Sequence, residues 1–121
     1  MNFTAIKELV AARKKELIQN VLDLGSIPGV NPRMGGKGES KRIEWLKSYF
    51  DSNNIPYQEY DIADSAVPEG KRTSLIVRIE GSEDKEKTLW FMAHMDTVAP
   101  GDLNDWNTDP FKPTMVGDRI Y

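Results

Sequence analysis

Thr88 to Pro100 reads T-L-W-F-M-A-H-M-D-T-V-A-P and carries the single histidine of the chain, His94. Thr88 to Ala93 has the continuous apolar character of a strand buried on both faces, as in the middle of a sheet covered by helices. His94 falls where that strand runs out, and Asp96 follows two residues on. Extended backbone repeats every two residues, so imidazole and carboxylate are expected on one side. The pair is then aimed off the C-terminal edge of a sheet, where α/β folds keep their ligand sites.

Upstream, Thr73 to Glu80 alternates cleanly, with Leu75, Val77 and Ile79 on the drier face. The charged turn Gly81 to Lys87 leads back into the apolar run, so the two strands are expected as antiparallel neighbours. Ile55 to Ile62 alternates more weakly, with Pro56 near its start, and reads as an edge strand. Ala63 to Lys71, with Pro68 and Gly70, reads as a surface loop. Glu39 to Ser52 has a helical stripe of Ile43, Leu46 and Phe50, widened by Trp45 and Tyr49. Phe3, Ile6, Leu9, Val10, Leu17, Ile18, Val21, Leu22 and Leu24 predict one long amphipathic helix with its apolar stripe as a core face. Asn2 or Thr4 is placed to cap it, and Gly25 to end it in the left-handed conformation. Between the helices, Gly25 to Gly38 is dense in glycine and proline and predicts irregular loop near the mouth of a site. Gly35 to Ser40 lacks the residue order of a Walker loop and no strand precedes it, so an approach to the next helix outweighs nucleotide binding.

Downstream, Gly101 to Pro113 has no periodicity and reads as an ordered loop anchored by Trp106 and Phe111. Asp102, Asp105 and Asp109 are metal ligands in principle, although acidic loop residues are more often solvated. A turn at Gly117-Asp118 leads to the start of a strand at Arg119 to Tyr121.

At 121 residues and 39% hydrophobic, the chain is one domain's worth of protein, expected as a single compact unit. A net charge of -3 from 16 basic and 19 acidic residues, interspersed, argues against partnership with nucleic acid or an anionic membrane surface. With no cysteine, any metal is left to His, Asp and Glu, and the composition fits a cytoplasmic protein. The N-terminal charges leave no signal-peptide core, and no run approaches the roughly 18 to 20 apolar residues of a membrane helix.

A lone histidine is more often structural than a ligand. At the end of a buried strand, with a carboxylate two residues on, it has the makings of a metal ligand and its orienter. Two residues do not complete a metal site.

His94-Met95-Asp96-Thr97-Val98-Ala99-Pro100, followed by Trp106, Asp109-Pro110-Phe111 and Pro113, resembles the metal-site strand and following loop of the co-catalytic zinc metallopeptidases and deacylases. That family includes acetylornithine deacetylase, succinyl-diaminopimelate desuccinylase, aminoacylase and carboxypeptidase G. Ile27-Pro28, Val30-Asn31-Pro32, Gly38-Glu39 and the strand from Thr73 are similar to the family's N-terminal half in a more generic way. Ala99 and the order Gly117-Asp118 depart from the usual pattern without touching a ligand.

The resemblance implies an α/β fold, a three-layer α/β/α zinc-peptidase-like catalytic domain of which residues 1–121 are the N-terminal part only. It implies that His94 is a zinc ligand and that Asp96 acts in catalysis by orienting it. Two zinc ions, with cobalt as a substitute, are implied for the intact enzyme. The bridging carboxylate after a Gly-Arg-Gly motif, the general-base glutamate and an inserted lid or dimerisation domain are expected beyond Tyr121. The implied reaction is metal-assisted hydrolysis of a small-molecule N-acyl amino acid, such as N-acetylornithine or N-succinyl-diaminopimelate, or of a peptide. A homodimer is compatible with it, and the substrate is left open. The 121 residues alone are expected to be inactive and to bind zinc weakly. The competing reading is a non-catalytic α/β interaction module in which His94 is a core residue.

Overall fold

The structure is a computed structural model and describes residues 2–121. It is built of helices and two small antiparallel sheets, in two compact units rather than the single one expected. One unit takes residues 2–27 and Pro100–Tyr121, the other Pro28–Ala99.

In the first unit, the predicted long helix is two: α1 (Phe3–Ala12) and α2 (Lys14–Gly25). Arg13 interrupts them at φ −93° and ψ 4°, its N–H shared between the carbonyls of Leu9 and Val10. Asn2 caps α1, its side chain accepting from Ala5 N at 2.9 Å. At the other end the expected left-handed glycine is not used. Ser26 closes α2 in right-handed backbone, its N–H donating to Leu22 O and its hydroxyl to Asp23 O at 2.7 Å. Gly25 answers a different demand, since a Cβ there would lie 3.1 Å from Pro113 Cγ. Most of the apolar stripe is not the expected core face: Phe3, Ile6, Leu9, Val10, Leu17 and Val21 are exposed, and only Ile18, Leu22 and Leu24 are half-buried. Periodicity marks what a helix can bury, and among the described residues no element of this unit covers the exposed part of the stripe.

The loop after Pro100 makes a 3-10 turn at Leu103–Asp105. Trp106 anchors it through its indole N–H, which donates to Pro100 O at 2.8 Å. Strands β3 (Met115–Val116) and β4 (Arg119–Ile120) form a hairpin about Gly117, whose φ of 64° supplies the mirror-type turn that two-residue hairpins need.

In the second unit, α3 (Ser40–Ser52) forms as the stripe predicts, with Ile43 buried. Trp45 stacks on Tyr49, and Phe50 meets Tyr57 at a centroid distance of 5.5 Å. The helix ends in a Schellman arrangement, with Asn54 left-handed at φ 53°, Ile55 N bonded to Phe50 O and Asn54 N to Asp51 O. Strands β1 (Tyr57–Ala63) and β2 (Lys71–Val77) pair antiparallel from Tyr57 opposite Val77 to Ala63 opposite Lys71. Their connection is closed by Asp64 N to Gly70 O at 3.0 Å.

This pairing corrects the expected one. β2 does not pair with the run from Thr88, which forms no strand: Leu89, Trp90, Phe91 and Met92 are exposed, Met92 at 92%. A strand requires a hydrogen-bonded neighbour, and β2 finds its own across a short local connection that costs little closure entropy. Apolar character tells which residues should be covered, not which strand covers them. The buried side chains of this unit are Ile43, Val67 and the charged Glu39. Among the described residues no helix is long and apolar enough to cross a membrane.

Candidate functional site around His94 and Asp96

The glycine-rich loop begins the site. Asn31 N donates to Thr97 O at 2.9 Å and Thr97 N to Gly29 O at 2.8 Å, which makes an isolated parallel bridge between Val30 and Thr97. Asn31 then opens the 3-10 turn Pro32–Met34, its side-chain oxygen accepting from Arg33 N. The loop folds back as Gly36 N donates to Asn31 O and Gly38 N to Val30 O. Those amides are engaged by carbonyls and the Ser40 hydroxyl by Glu69, so Gly35 to Ser40 offers no phosphate cradle of this kind.

The bridge sets the loop against the His-x-Asp segment. His94 Nδ1 lies 3.0 Å from Asp96 Oδ1 and 2.8 Å from the Asp96 carbonyl oxygen. A carbonyl and a carboxylate only accept, so Nδ1 carries the proton and the neutral ring keeps its lone pair on Nε2. His94 is 83% exposed, whereas Asp96 is largely enclosed. The two side chains meet as the two-residue spacing suggests, but from irregular backbone and not from the edge of a sheet.

Asp96 Oδ2 accepts from Asn31 Nδ2 and, at 3.1 Å, from Arg72 Nη2. Arg72 also forks onto Glu39, Nε to Oε1 and Nη2 to Oε2, both at 2.8 Å. The Asn31 hydrogen bond chiefly, with Arg72 and His94 adding to it, holds the Asp96 carboxyl below its ordinary range against the opposing effect of burial. Arg72 is held more firmly charged than usual, chiefly by Glu39. Arg42 Nη1 donates to Met95 O at 3.1 Å, pinning the backbone between His94 and Asp96. Burial lowers the Arg42 pKa and the nearby Asp96 charge pulls it back up.

Arg33, Met34 and Val98 line an open hollow in front of His94 and Asp96. Thr97 Oγ1 is buried without a hydrogen-bond partner among the described residues, a hydroxyl that water or a bound group must satisfy. As a metal centre the arrangement is partial. His94 Nε2 is free to ligate and Asp96 is seated to orient it, yet no group of three or more His, Cys, Asp or Glu among the described residues is placed to hold an ion. Asp102 and Asp109 accept from the backbone of their own loop, at Asn104 and Phe111.

Asn31, Glu39 and Arg72 go unflagged as site residues by the sequence reading. Asn31 and Glu39 stand in the segments that resemble the metallopeptidase family, which was the available signal; Arg72 had none.

Three relatives bear on what this site belongs to. The chain is 37% identical over 114 residues to an uncharacterised metallohydrolase of Methanocaldococcus jannaschii, covering 88% of the chain and 27% of the relative. It is 36% identical over 113 residues to a metallohydrolase of Methanococcus maripaludis, covering 88% and 26%. A succinyl-diaminopimelate desuccinylase of Colwellia psychrerythraea matches at 25% identity over 108 residues, covering 89% and 25%. Over most of its length the chain is similar to these metallohydrolases, and more distantly to the desuccinylase. It spans about a quarter of the length of the relatives it matches. No protein-family model matches the chain, and no solved structure matches it. The relatives' names bring with them hydrolase chemistry and a metal cofactor.

Proposed function

We propose that the full-length protein is a cytoplasmic, zinc-dependent hydrolase of amide bonds, and that this chain is the N-terminal part of its three-layer α/β/α catalytic domain. Its substrates are N-acyl amino acids, of the N-succinyl-diaminopimelate or N-acetylornithine kind, or short peptides. The observation that carries the reading is the His94–Asp96 contact, 3.0 Å from Nδ1 to Oδ1, on a ring that is otherwise exposed and whose Nε2 has no hydrogen-bond partner among the described residues. A carboxylate on the far nitrogen fixes the tautomer of a ligating histidine and raises its basicity. Kinship with metallohydrolases and with a desuccinylase supports the choice of reaction.

When bound, the metal polarises the amide carbonyl and makes water nucleophilic at neutral pH. Water then adds across the C–N bond, giving a carboxylic acid and an amine. In this scheme His94 supplies one ligand through Nε2, and Asp96 holds the ring by accepting from Nδ1–H. The remaining ligands and the general base come from residues outside this chain, and two ions with a homodimeric assembly complete the proposal. The 121 residues alone are inactive in this scheme.

The test uses full-length protein loaded with zinc or cobalt and given N-succinyl-diaminopimelate, N-acetylornithine or a dipeptide, with free amine as readout. Turnover lost on metal removal and in His94→Ala is expected. Turnover that survives in His94→Ala would refute the ligand role, and no amide hydrolysis with any of these substrate classes would refute the reaction.

A further inference from the structure

We propose that Glu39, Arg72 and Asn31 are positioning residues that clamp the Asp96 carboxylate so that His94 is held in its Nδ1–H tautomer with Nε2 outward. The proposal rests on the reading of His94 as a metal ligand and deepens it.

The geometry divides the Asp96 carboxylate into two halves with different tasks. Oδ1 faces His94 Nδ1, which it shares with the Asp96 carbonyl oxygen, and Oδ2 is taken by Asn31 Nδ2 and Arg72 Nη2. Rotating the carboxylate away from the imidazole would break both Oδ2 bonds, so its orientation is set from behind. Arg72 comes from β2 and Asn31 from the glycine-rich loop, so two separate segments converge on one oxygen, while Glu39, from the residue preceding α3, holds Arg72.

Arg72 is held in turn. Nη2 has two hydrogens, one spent on Glu39 Oε2 and the other on Asp96 Oδ2, while Nε takes Glu39 Oε1. The planar fork lets one cation serve two carboxylates at fixed angles, which an ammonium group does not reproduce. Glu39 itself is 8% exposed. An ion pair with one buried partner is weak evidence for stability, because apolar residues of similar volume often do as well or better. Glu39, 33 residues from Arg72 in sequence, holds the same guanidinium that donates to Asp96, which orientation accounts for better than stability. Arg42, bonded to Met95 O, steadies the backbone between the two site residues from another direction.

The chain has one histidine, so a single imidazole reports on the clamp. Long-range proton–nitrogen correlation spectra of the 121-residue chain at neutral pH should show His94 protonated at Nδ1 and bare at Nε2. Two variants are measured beside it, Arg72→Lys, which keeps a cation against Glu39, and Asn31→Ala, which leaves the Arg72 fork intact. Amide spectra of β1 and β2 establish that the hairpin persists. In each folded variant the nitrogen shifts should move toward a mixture of the two tautomers, more so for Arg72→Lys. Folded variants in which His94 stays wholly in the Nδ1–H form would overturn the proposal, because a purely structural ion pair would leave the ring untouched. The ligand reading is checked separately by zinc content of full-length protein with and without His94→Ala. An unchanged zinc content sinks that reading whatever the tautomer does, so the two failures are distinguishable.

Discussion

Val30 and Thr97 form a parallel bridge, with Asn31 N donating to Thr97 O at 2.9 Å and Thr97 N to Gly29 O at 2.8 Å. This pair of backbone bonds joins the glycine-rich loop to the segment after the His-x-Asp motif and brings the Asn31 amide onto Asp96. The loop folds back onto Val30, one partner of the bridge, where Gly36 has no side chain, since a Cβ there would sit 1.9 Å from Val30 O.

Gly36→Ala is therefore expected to force loop and bridge apart, at a cost of about 1–3 kcal/mol, the usual range for overpacking. Urea denaturation would show a lower midpoint. Loss of protection at the Thr97 amide in hydrogen exchange would place the damage at the bridge.

Asn54 occupies left-handed backbone at φ 53° at the end of α3. Asn54→Gly should be neutral or slightly stabilising, whereas Asn54→Val should cost about 1–2 kcal/mol, the penalty of that conformation for a residue with a branched Cβ. Thermal melts of the two variants should bracket the parent, and equal melting temperatures would contradict the assignment.

Asn2→Ala removes the acceptor of the Ala5 N–H and should cost α1 about 1 kcal/mol. Faster exchange of the first-turn amides, with α3 unaffected, is the expected signature.

Asp61 accepts from Lys71 Nζ at 2.6 Å and from Thr73 Oγ1 at 2.6 Å across the β1–β2 hairpin. The Lys71 bond first, and the Thr73 bond second, hold its carboxyl below the ordinary range. A depressed carboxyl contributes stability that is fully present above its unfolded pKa of about 3.9 and is lost as pH falls through the folded value. Lys71 is raised, chiefly by Asp61, so its contribution is present below about 10.4 and is lost as pH rises through its folded value. Asp61→Asn should thus lower the urea midpoint between those limits, and the gap from the parent should close toward pH 2. Both groups lie at the surface, so the gap should shrink in high salt.

Leu89, Trp90, Phe91 and Met92 present a run of exposed apolar side chains, with Phe91 86% exposed. The 121-residue chain should bind an apolar dye and associate with rising concentration, and Phe91→Asp should reduce both. A dye-silent, monodisperse parent at high concentration would show that the run finds cover in solution.

Features legible in the sequence were those fixed within a few residues. The helical stripe of α3, a cap at Asn2 or Thr4 that Asn2 fills, the turn at Gly117 and the irregular backbone expected from Gly25, which begins only after α2, follow from local sterics and from hydrogen bonds that close over three or four positions. The proximity of His94 and Asp96 follows from a spacing of two. The His-x-Asp motif with its following loop also sufficed to indicate the family. Which segments pair was decided elsewhere. β2 chose β1 over the run at Leu89, and the α1–α2 stripe stays exposed, because periodicity names a face without naming what lies against it. The clamp on Asp96 is the clearest case. Arg72, 24 positions away, and Asn31, 65 away, become its partners only when three segments converge, and no local pattern encodes the direction from which a donor arrives.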